Sequence, residues 1–443
     1  MATGLLLIAA GTLILSTPLC STESVGLWEA LFTATSALTV TGLSVIDVGK
    51  ELTGFGQVVL AMLIMIGGLG LMAITTFLQG FVQGRSGLRQ RLDKGRSLDE
   101  FGVGGVGNTF KAIVFSGSIC IAIGTVLLFT FGFSDIANPM ARLWAALFHS
   151  ISAFNNAGFS LWANNLERYT NQPVVTGVIA ALIVSGGLGW RVLQDLWECR
   201  NHLPKLSRLS LHTRVVLSSS FALILIGCLG LLVTERFHQQ GLMATLGLGD
   251  RLQVTLFQAI TTRTAGFNTV PLSLESISDP GILLMMVLMF IGASPGGTGG
   301  GIKTTTFAVL VGATRATLAD RSDVVIRRRR LPSTLVFKAV GVTIASAGLV
   351  LVMTMLIGLG SNGADAAPGH ASFSFLENLF TCISAFGTVG LDLGVTAHLD
   401  RWGQLVLVVG MFIGRIGILL MLSCLYGRRP PSRLQFPEES IIL

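Results

Sequence analysis

Long apolar runs recur along the whole chain and are separated by short polar stretches. A helix that crosses a bilayer needs about 20 apolar residues, because the hydrocarbon core is about 30 Å thick. Eight runs approach or exceed that length, and they cover residues 4–20, 55–78, 111–133, 174–197, 214–234, 281–305, 335–358 and 403–426. The pattern predicts an all-α, polytopic membrane protein with eight spanning helices.

A shorter apolar segment lies between the two runs of each consecutive pair. Its four copies align on a shared glycine and cover residues 31–45, 147–161, 256–270 and 379–393. The helical part of each copy has about 10–12 residues, or roughly 15–18 Å, and therefore crosses only half of a membrane. Such a segment must return to the side from which it entered. It is tolerated only inside protein or along a water-filled cavity.

A second glycine motif follows each short segment, within the next apolar run. These motifs are residues 66–70, 185–189, 291–301 and 413–417. Because both features recur in the same order, we predict four helix–pore-loop–helix repeats in a pseudo-fourfold arrangement around one pore, with both termini in the cytoplasm. The predicted boundaries are repeats at 1–80, 111–198, 214–306 and 335–427, cytoplasmic linkers at 81–110, 199–213 and 307–334, and a cytoplasmic tail at 428–443.

Composition agrees with a membrane protein, and charge predicts its orientation. Of the 443 residues, 51% are apolar and 12% are charged, against about 25% charged in ordinary soluble domains. Most of the 30 lysines and arginines lie in alternate loops, which the positive-inside rule places in the cytoplasm. The net charge of +7 is not accompanied by a basic domain or an aromatic platform, so we expect no nucleic-acid partner. The six cysteines lack metal-ligand spacing.

The four tetrapeptides that end in the shared glycines have the chemistry of a cation filter. Glycine permits positive φ, which lets successive carbonyl groups point towards one axis. Rings of backbone carbonyls replace the hydration shell of a cation, and the negative ends of the short helices favour positive charge. The candidate filter residues are Thr39, Val40, Thr41, Gly42, Asn155, Asn156, Ala157, Gly158, Thr264, Ala265, Gly266, Gly387, Thr388, Val389 and Gly390.

Two points about these tetrapeptides stay open at the level of sequence. Asn156, Thr264 and Thr388 would either add side-chain oxygens to the filter or brace it from behind. The glycines alone would also suit close helix packing. Their recurrence at the end of four half-length helices favours the filter.

Residues 292–301, Gly-Ala-Ser-Pro-Gly-Gly-Thr-Gly-Gly-Gly, interrupt an apolar run. Glycine costs about 1 kcal/mol against alanine in a helix, and proline removes a backbone bond, so we predict a mid-membrane loop that plugs the pore. A phosphate-binding loop is disfavoured because Ile302 stands where that motif needs glycine. The candidate gate residues are Gly292, Ser294, Pro295, Gly296, Gly297, Thr298, Gly299, Gly300, Gly301, Lys303 and Arg415.

Two arginines lie at unusual depth. At the centre of a span an arginine costs about 2.5–3.5 kcal/mol and requires partners. For Arg415 we expect carbonyls of the 292–301 loop, with an acidic side chain on the filter side as the alternative. Arg263 is expected to point behind the filter, because a fixed positive charge in the mouth would repel cations.

Together these features resemble the KtrB-type pore subunits of the Trk/Ktr/HKT potassium transporter superfamily. The resemblance rests on the four filter segments, the GGTGGGIKTTT stretch at 296–306 and Arg415 in the last helix, and it extends over essentially the whole sequence. It implies K⁺ at the filter carbonyls, since a glycine at the place of Gly42 accompanies potassium selectivity in that family. It also implies that the 292–301 loop is the gate.

Partners and location follow from the same resemblance. It implies a homodimer on a cytoplasmic, KtrA-like RCK ring that would itself bind the regulatory ATP or ADP. No prosthetic group is then expected on this chain, and sodium activation is an open option. The implied location is the plasma (inner) membrane of a prokaryotic cell. The basic cytoplasmic loops would meet anionic lipid or dock that ring.

Two other classes of function fit the sequence less well. A secondary transporter of another cation or small substrate is the alternative; it predicts paired discontinuous helices and mid-membrane acidic residues. No Asp or Glu lies deep in the spanning runs, which disfavours it. An enzyme is not expected, because the six histidines are dispersed and no catalytic cluster falls in a spanning run.

Overall fold

The computed structural model describes residues 2–22, 25–70, 103–200, 209–238, 241, 246–321, 323–361 and 373–418. The α-helices are α1 (Ala2–Leu15), α2 (Leu27–Thr39), α3 (Val48–Glu51), α4 (Gly54–Met65), α5 (Val103–Leu127), α6 (Pro139–Asn155), α7 (Pro173–Leu188), α8 (Trp190–Glu198), α9 (Leu211–Arg236), α10 (Leu248–Thr261), α11 (Asp279–Phe290), α12 (Thr304–Leu318), α13 (Ser333–Ser361), α14 (Phe375–Gly387) and α15 (Arg401–Ile416). π-helical turns follow α4 at Ile66–Gly70 and α5 at Leu128–Gly132, and 3₁₀ turns lie at Glu167–Tyr169 and Thr396–His398. Strands β1 (Val325–Ile326) and β2 (Arg329–Arg330) pair antiparallel. The predicted tail at 428–443 and most of the predicted linker at 81–110 lie outside the described residues.

The long helices have the length and surface of membrane spans. Within the described ranges, three helical segments are long and apolar enough to cross a membrane: Lys111–Gly132, Leu211–Arg236 and Ser333–Gly360. Their outer faces expose large apolar side chains, including Phe115, Phe221 and Phe337, each about 70% exposed. Because such faces are costly in water, the fold confirms the prediction of a helical, polytopic membrane protein.

The predicted span at 174–197 is not one straight helix. The chain bends by 96° between α7 and α8. Gly189 adopts φ +89° at the bend, and the N–H of Trp190 donates to the carbonyl oxygen of Gly296 (3.2 Å). A left-handed residue ends a helix, and here the freed donor finds a partner in the 292–301 loop.

The predicted break in the run at 281–305 is present. α11 ends at Phe290, and the chain continues as a loop to Lys303 before α12 begins. α12 occupies a stretch that the sequence assigned largely to the basic linker at 307–334. The predicted spans at 4–20 and 55–78 correspond, where they are described, to apolar helices too short to cross alone. In the predicted span at 403–426 the described helix is α15, with 16 residues.

Four short helices, α2, α6, α10 and α14, form the centre of the fold and are called the half-helices below. They have 13, 17, 14 and 13 residues, somewhat more than the predicted length. Asn138 caps the start of α6, and a Ser374–Glu377 capping box starts α14. The phenylalanine of each repeated Leu-Phe pair is at most 2% exposed, namely Phe32, Phe148, Phe257 and Phe380. These buried rings anchor the half-helices in the core.

Candidate functional site

Three half-helices end in the same left-handed turn. Val40, Asn156 and Thr388 have φ of +57°, +59° and +49°. In each case the next N–H donates back into the helix at 2.8 Å, from Thr41 to Ser36, from Ala157 to Ser152 and from Val389 to Ser384. This is a Schellman-type end, which reverses the chain at the deepest point of the half-helix. These three tetrapeptides therefore begin where their half-helices end.

The third half-helix ends differently. α10 stops at Thr261, and the left-handed residue is Thr264, with φ +75°. The N–H of Ala265 then donates to Thr261 O at 2.9 Å. The sequence of this copy also differs, because its Leu-Phe pair lies one residue closer to the shared glycine than in the other three copies.

The four shared glycines meet in a closed ring, called the glycine ring below. They are Gly42, Gly158, Gly266 and Gly390, with φ of +93°, +68°, +77° and +93°. A Cβ on any of them would come within 3.0 Å of a carbonyl oxygen of the next repeat: Gly42 against Ala157, Gly158 against Ala265, Gly266 against Val389 and Gly390 against Thr41. Each glycine is thus required both for its left-handed backbone and for the close approach of its neighbour.

Serine hydroxyls support two sides of the glycine ring. The N–H groups of Gly42 and Gly390 donate to Ser36 Oγ and Ser384 Oγ, both at 3.1 Å. These bonds occupy the amide donors of the two glycines. Their carbonyl oxygens are left available for other partners.

Asn165 supports the opposite side of the glycine ring and was missed by the sequence reasoning. Its Nδ2 lies 3.4 Å from the carbonyl oxygens of both Gly158 and Gly266. Its Oδ1 is buried without a hydrogen-bond partner among the described residues. The backbone of Asn165 is left-handed, with φ +50°, a conformation that asparagine adopts more readily than most residues. Nothing in the sequence pattern relates this loop residue to two different repeats.

The polar side chains below the glycine ring brace it. Asn156 and Thr264 hydrogen-bond to each other at 3.3 Å. We orient the Asn156 amide so that its nitrogen donates to Ala153 O and Ile183 O, both at 3.1 Å, and its oxygen faces Thr264. Thr388 Oγ1 accepts from the N–H of Gly300 at 2.9 Å. Of the two roles left open by the sequence, these contacts favour bracing.

The second glycine motifs pack against the ends of the half-helices. A Cβ on Gly67, Gly186 or Gly414 would come within 3.0 Å of a half-helix carbonyl oxygen, those of Leu38, Phe154 and Phe386 respectively. These three carbonyls occupy the same place in their repeats, four residues before the glycine of the ring. Glycine is therefore required where the following helix crosses beneath each half-helix.

Residues 292–301, called the glycine loop below, lie directly beneath the ring and contact several repeats. Most of the loop is buried. Its bonds to the second and fourth repeats run from Ser294 N to Gly187 O (3.1 Å), from Thr298 N to Gly186 O (3.1 Å), from Thr298 Oγ1 to Phe154 O (3.3 Å) and from Gly300 N to Thr388 Oγ1 (2.9 Å). A side chain at Gly299 would clash with Thr264 Oγ1. The loop thus closes the space below the glycine ring.

Arg415 joins the glycine loop to the first repeat. Its Nη1 donates to the carbonyl oxygen of Thr298, and its Nη2 donates to Gly67 O at 2.8 Å. The expected loop carbonyl is therefore a partner, and the acidic alternative is not seen among the described contacts of Arg415. Its side chain is buried, so each bond satisfies a charge that would otherwise be costly at this depth.

Two further cations hold the loop from its ends. Lys303 Nζ donates to Gly299 O at 2.8 Å and lies 3.4 Å from Gly300 O. Arg263 donates to Ser220 O of α9 (3.3 Å) and lies 3.5 Å from Gly292 O. Arg263 therefore points away from the glycine ring, as expected, and its charge faces the start of the loop.

Long helices with apolar outer faces surround four buried half-helices, and the glycines that follow the half-helices meet in one ring. This arrangement defines a polytopic membrane protein of the ion-transport class. A family model described as "TrkH: Cation transport protein" matches residues 5–425. The chain belongs to this family of cation transport proteins. This confirms the resemblance to the KtrB-type subunits and the expectation of a transport protein in place of an enzyme.

Similar proteins cover nearly the whole chain. The Ktr system potassium uptake protein B of Bacillus subtilis is 36% identical over 98% of this chain and 94% of its own length. The protein of the same name from Vibrio alginolyticus is 36% identical over 97% and 90%. The potassium/sodium uptake protein NtpJ of Enterococcus hirae is 31% identical over 99% and 95%. The crystal structure of the potassium transporter TrkH from Vibrio parahaemolyticus superimposes with a TM-score of 0.73 at 21% identity, over 96% of this chain and 83% of that one, and so supports the fold.

Proposed function

We propose that this chain is the membrane pore subunit of a potassium uptake system and that K⁺ passes through the glycine ring. The closed ring carries the proposal, because four left-handed glycines bring the carbonyl group of the preceding residue to each seam between repeats. Such carbonyls suit a dehydrated monovalent cation. The names of the Bacillus and Vibrio relatives, which specify potassium uptake, support the choice of ion.

The proposal includes an arrangement in the membrane. The chain forms four helix–pore-loop–helix repeats, with the predicted boundaries, in a pseudo-fourfold arrangement around one pore. Eight segments span the membrane, some of them bent or broken, and both termini are cytoplasmic. The equivalent contacts of Gly67, Gly186 and Gly414 support the repeat relation.

The glycine loop is proposed to be the gate. It lies beneath the ring, its bonds run to backbone and hydroxyl groups, and its glycines allow other conformations at low cost. Arg415 and Lys303 hold the closed position through charge-assisted bonds. Opening requires that these bonds be exchanged for others.

We propose that a cytoplasmic RCK-type ring, which binds ATP or ADP, controls the gate. A homodimer of this chain would bind to that ring, in the plasma membrane of a prokaryotic cell. The relatives' designation as Ktr system proteins supports a system of more than one component. The name of the Enterococcus relative includes sodium, which keeps sodium activation within the proposal.

A secondary transporter remains the second candidate because of one observation. The α7–α8 bend and the loop between α11 and α12 are discontinuities in membrane helices, which that class uses at its binding site. Against it, the described contacts of the glycine loop involve no carboxylate that would couple transport to protons.

Uptake in cells tests the proposal. A bacterial strain without potassium uptake systems of its own should grow at limiting K⁺ when it expresses this chain with its regulatory subunit. Uptake of ⁸⁶Rb⁺ in the same cells should be reduced by added K⁺ and little by added Na⁺. A properly inserted protein that supports neither growth nor ⁸⁶Rb⁺ uptake would contradict the proposal.

A further inference from the structure

A groove of about 680 Å³ lies between α9, α12 and the β1–β2 hairpin, away from the glycine ring. It is called the α9–α12 groove below. Its walls change in character along α9. Ser218 and Ser219 line one end, whereas Ala222, Leu223 and Ile226 line the wall further along the helix. A polar end that passes into an apolar end along a membrane helix is the polarity profile of a phospholipid.

The polar end has an excess of positive charge. Arg315 of α12, Arg321 and Arg327 line it together with the two serines. Among the described residues these three guanidinium groups have no hydrogen-bond or ion-pair partner. The one acid in the lining, Asp323, is paired with Arg330 at 2.9 Å. The Ser218 hydroxyl donates to Arg214 O within α9 at 2.8 Å, which leaves Ser219 as the hydroxyl beside the arginines. Three such arginines form a site for a phosphate group.

The hairpin that presents Arg327 is strained. Arg327 and Arg328 have φ of +47° and +65°, the left-handed pair of a two-residue turn that Asn-Gly normally occupies. Non-glycine residues in this region persist where the surrounding structure requires them. Because arginine is not a preferred residue at either position of such a turn, we infer that these arginines are present for their side chains and not for the turn conformation.

The apolar end opens towards lipid. Phe221, Leu225 and Leu229 of α9 expose between 45% and 70% of their surface on the same stretch of helix. An acyl chain that left the groove would therefore continue along an already lipid-facing surface. A soluble partner protein would have to cover this surface inside the membrane.

We propose that the α9–α12 groove binds an anionic phospholipid of the cytoplasmic leaflet. Its phosphate lies on Arg315, Arg321 and Arg327 with the Ser219 hydroxyl, and an acyl chain follows Ala222 and Ile226. α12 begins at Thr304, directly after the glycine loop, and Thr304 Oγ1 hydrogen-bonds Ser294 Oγ of that loop at 3.1 Å. A lipid on α12 would therefore stabilise one position of the loop; this consequence, unlike the binding itself, rests on the proposed function.

Native mass spectrometry of the detergent-purified full chain tests the binding, with phosphatidylglycerol and phosphatidylcholine as probes. We expect phosphatidylglycerol to be retained preferentially. The variant R321A/R327A should lose binding by about fivefold per arginine, the effect of one basic residue near an anionic lipid. The control R328A/R329A removes the same amount of charge from the nearby hairpin but lies outside the groove lining, and it should bind as the wild type does.

Two substitutions that enlarge a side chain test the apolar end of the groove without a change of charge. Ala222→Trp fills the groove and should reduce phosphatidylglycerol binding, whereas Leu225→Trp, on the neighbouring lipid-facing surface, should not. Equal retention of the two lipids by the wild type, or equal losses in a variant and its control, would overturn the lipid site. Unchanged lipid binding in R321A/R327A with loss of a co-purifying regulatory subunit would assign the arginines to a protein partner.

The consequence for the gate is measured separately, in proteoliposomes with and without one quarter phosphatidylglycerol. Potassium flux of the wild type should depend on the anionic lipid, and that of R321A/R327A should not. If binding is lost while the lipid dependence of flux persists, the link to the gate is wrong. If no potassium flux occurs at all, the proposed function fails, but the binding measurement in detergent is unaffected.

Discussion

At the scale of single residues, the glycine ring is determined by two independent constraints. Gly42 has φ +93°, which excludes most side chains, and its α-carbon lies where a Cβ would meet Ala157 O. Left-handed backbone costs about 1–2 kcal/mol for a residue with a Cβ. The clash adds to this cost, because the neighbour is a backbone carbonyl, which can move only if the chain around Ala157 moves with it.

Gly42→Ser should therefore reorient one carbonyl of the ring and reduce the preference for K⁺ over Na⁺. A change of about 1.4 kcal/mol corresponds to about a tenfold fall in the permeability ratio. The matched control is Gly394→Ser, since Gly394 has nearly the same φ of +88° but nothing within 4 Å of an added Cβ. Relative Na⁺ and K⁺ fluxes in proteoliposomes measure both. An unchanged ratio in the Gly42 variant would mean that selectivity arises elsewhere.

Asn165 gives a second prediction at this scale. Its amide lies across the seam between Gly158 and Gly266, and each such bond contributes about 0.5–1.5 kcal/mol. Asn165→Ala should loosen that seam and lower the K⁺ preference by about two- to tenfold. Asn164→Ala, at the exposed neighbour, is the control. Equal effects of the two substitutions on the flux ratio would argue against a role for the amide.

At the scale of elements, the glycine loop is held by few strong bonds and many weak ones. Arg415 bridges Thr298 and Gly67, and so fixes the loop to the fourth and first repeats together. The remaining bonds come mostly from neutral groups, which contribute less each. We therefore expect the stability of the proposed closed position to depend mainly on the charged side chains of Arg415 and Lys303.

Arg415→Ala should raise potassium flux in the absence of the regulatory partner. A hydrogen bond to a charged group contributes about 1.5–3 kcal/mol, so the closed–open equilibrium should shift by about ten- to a hundredfold. Arg415→Lys should give an intermediate flux, since one ammonium group does not span both carbonyls as a guanidinium does. Arg401→Ala, at the exposed start of the same helix, is the control. Reduced flux in a correctly inserted Arg415→Ala protein would indicate that the loop is a structural hinge and not a gate.

The sequence predicts the repeated elements better than the places where they bend. Four aligned glycines and a window with six glycines and Pro295 are strong local signals, and the ring and the broken helix are where they indicate. Gly189 does not stand out as a break, because a single glycine is common in an apolar membrane helix and its φ depends on the loop that it meets. The sequence assigns most of α12 to a linker because the basic residues Arg321 and Arg327–Arg330 follow it closely, although α12 itself contains only one charge, Arg315. Asn165 contacts carbonyl oxygens of two different repeats, and a contact between distant parts of the chain leaves no local pattern in the sequence.

At the scale of the whole molecule, the distribution of charge orients the chain. The β1–β2 hairpin contains Arg327–Arg330, whereas Asp47 lies in the loop that follows α2. By the positive-inside rule we propose that the hairpin faces the cytoplasm and that the loops after the half-helices open to the outside. Ions would meet the glycine ring before the glycine loop.

Cysteine labelling tests this orientation. Lys50→Cys should react with an impermeant thiol reagent added outside intact cells, because its side chain is 78% exposed. Arg328→Cys should react only after the membrane is permeabilised. The opposite labelling pattern would reverse the orientation and place the loop on the entry side.

The most direct test of the central claim is the reversal potential of proteoliposomes that contain this chain alone, with K⁺ on one side and Na⁺ on the other. A K⁺-selective glycine ring predicts a large reversal potential that is negative on the K⁺ side, because under these conditions its size is set by the ratio of K⁺ to Na⁺ permeability. It also predicts a shift towards zero in Gly42→Ser and no shift in Gly394→Ser. A reversal potential near zero in the wild type, or one that follows a proton gradient, would contradict passage of K⁺ through a selective ring of backbone carbonyls.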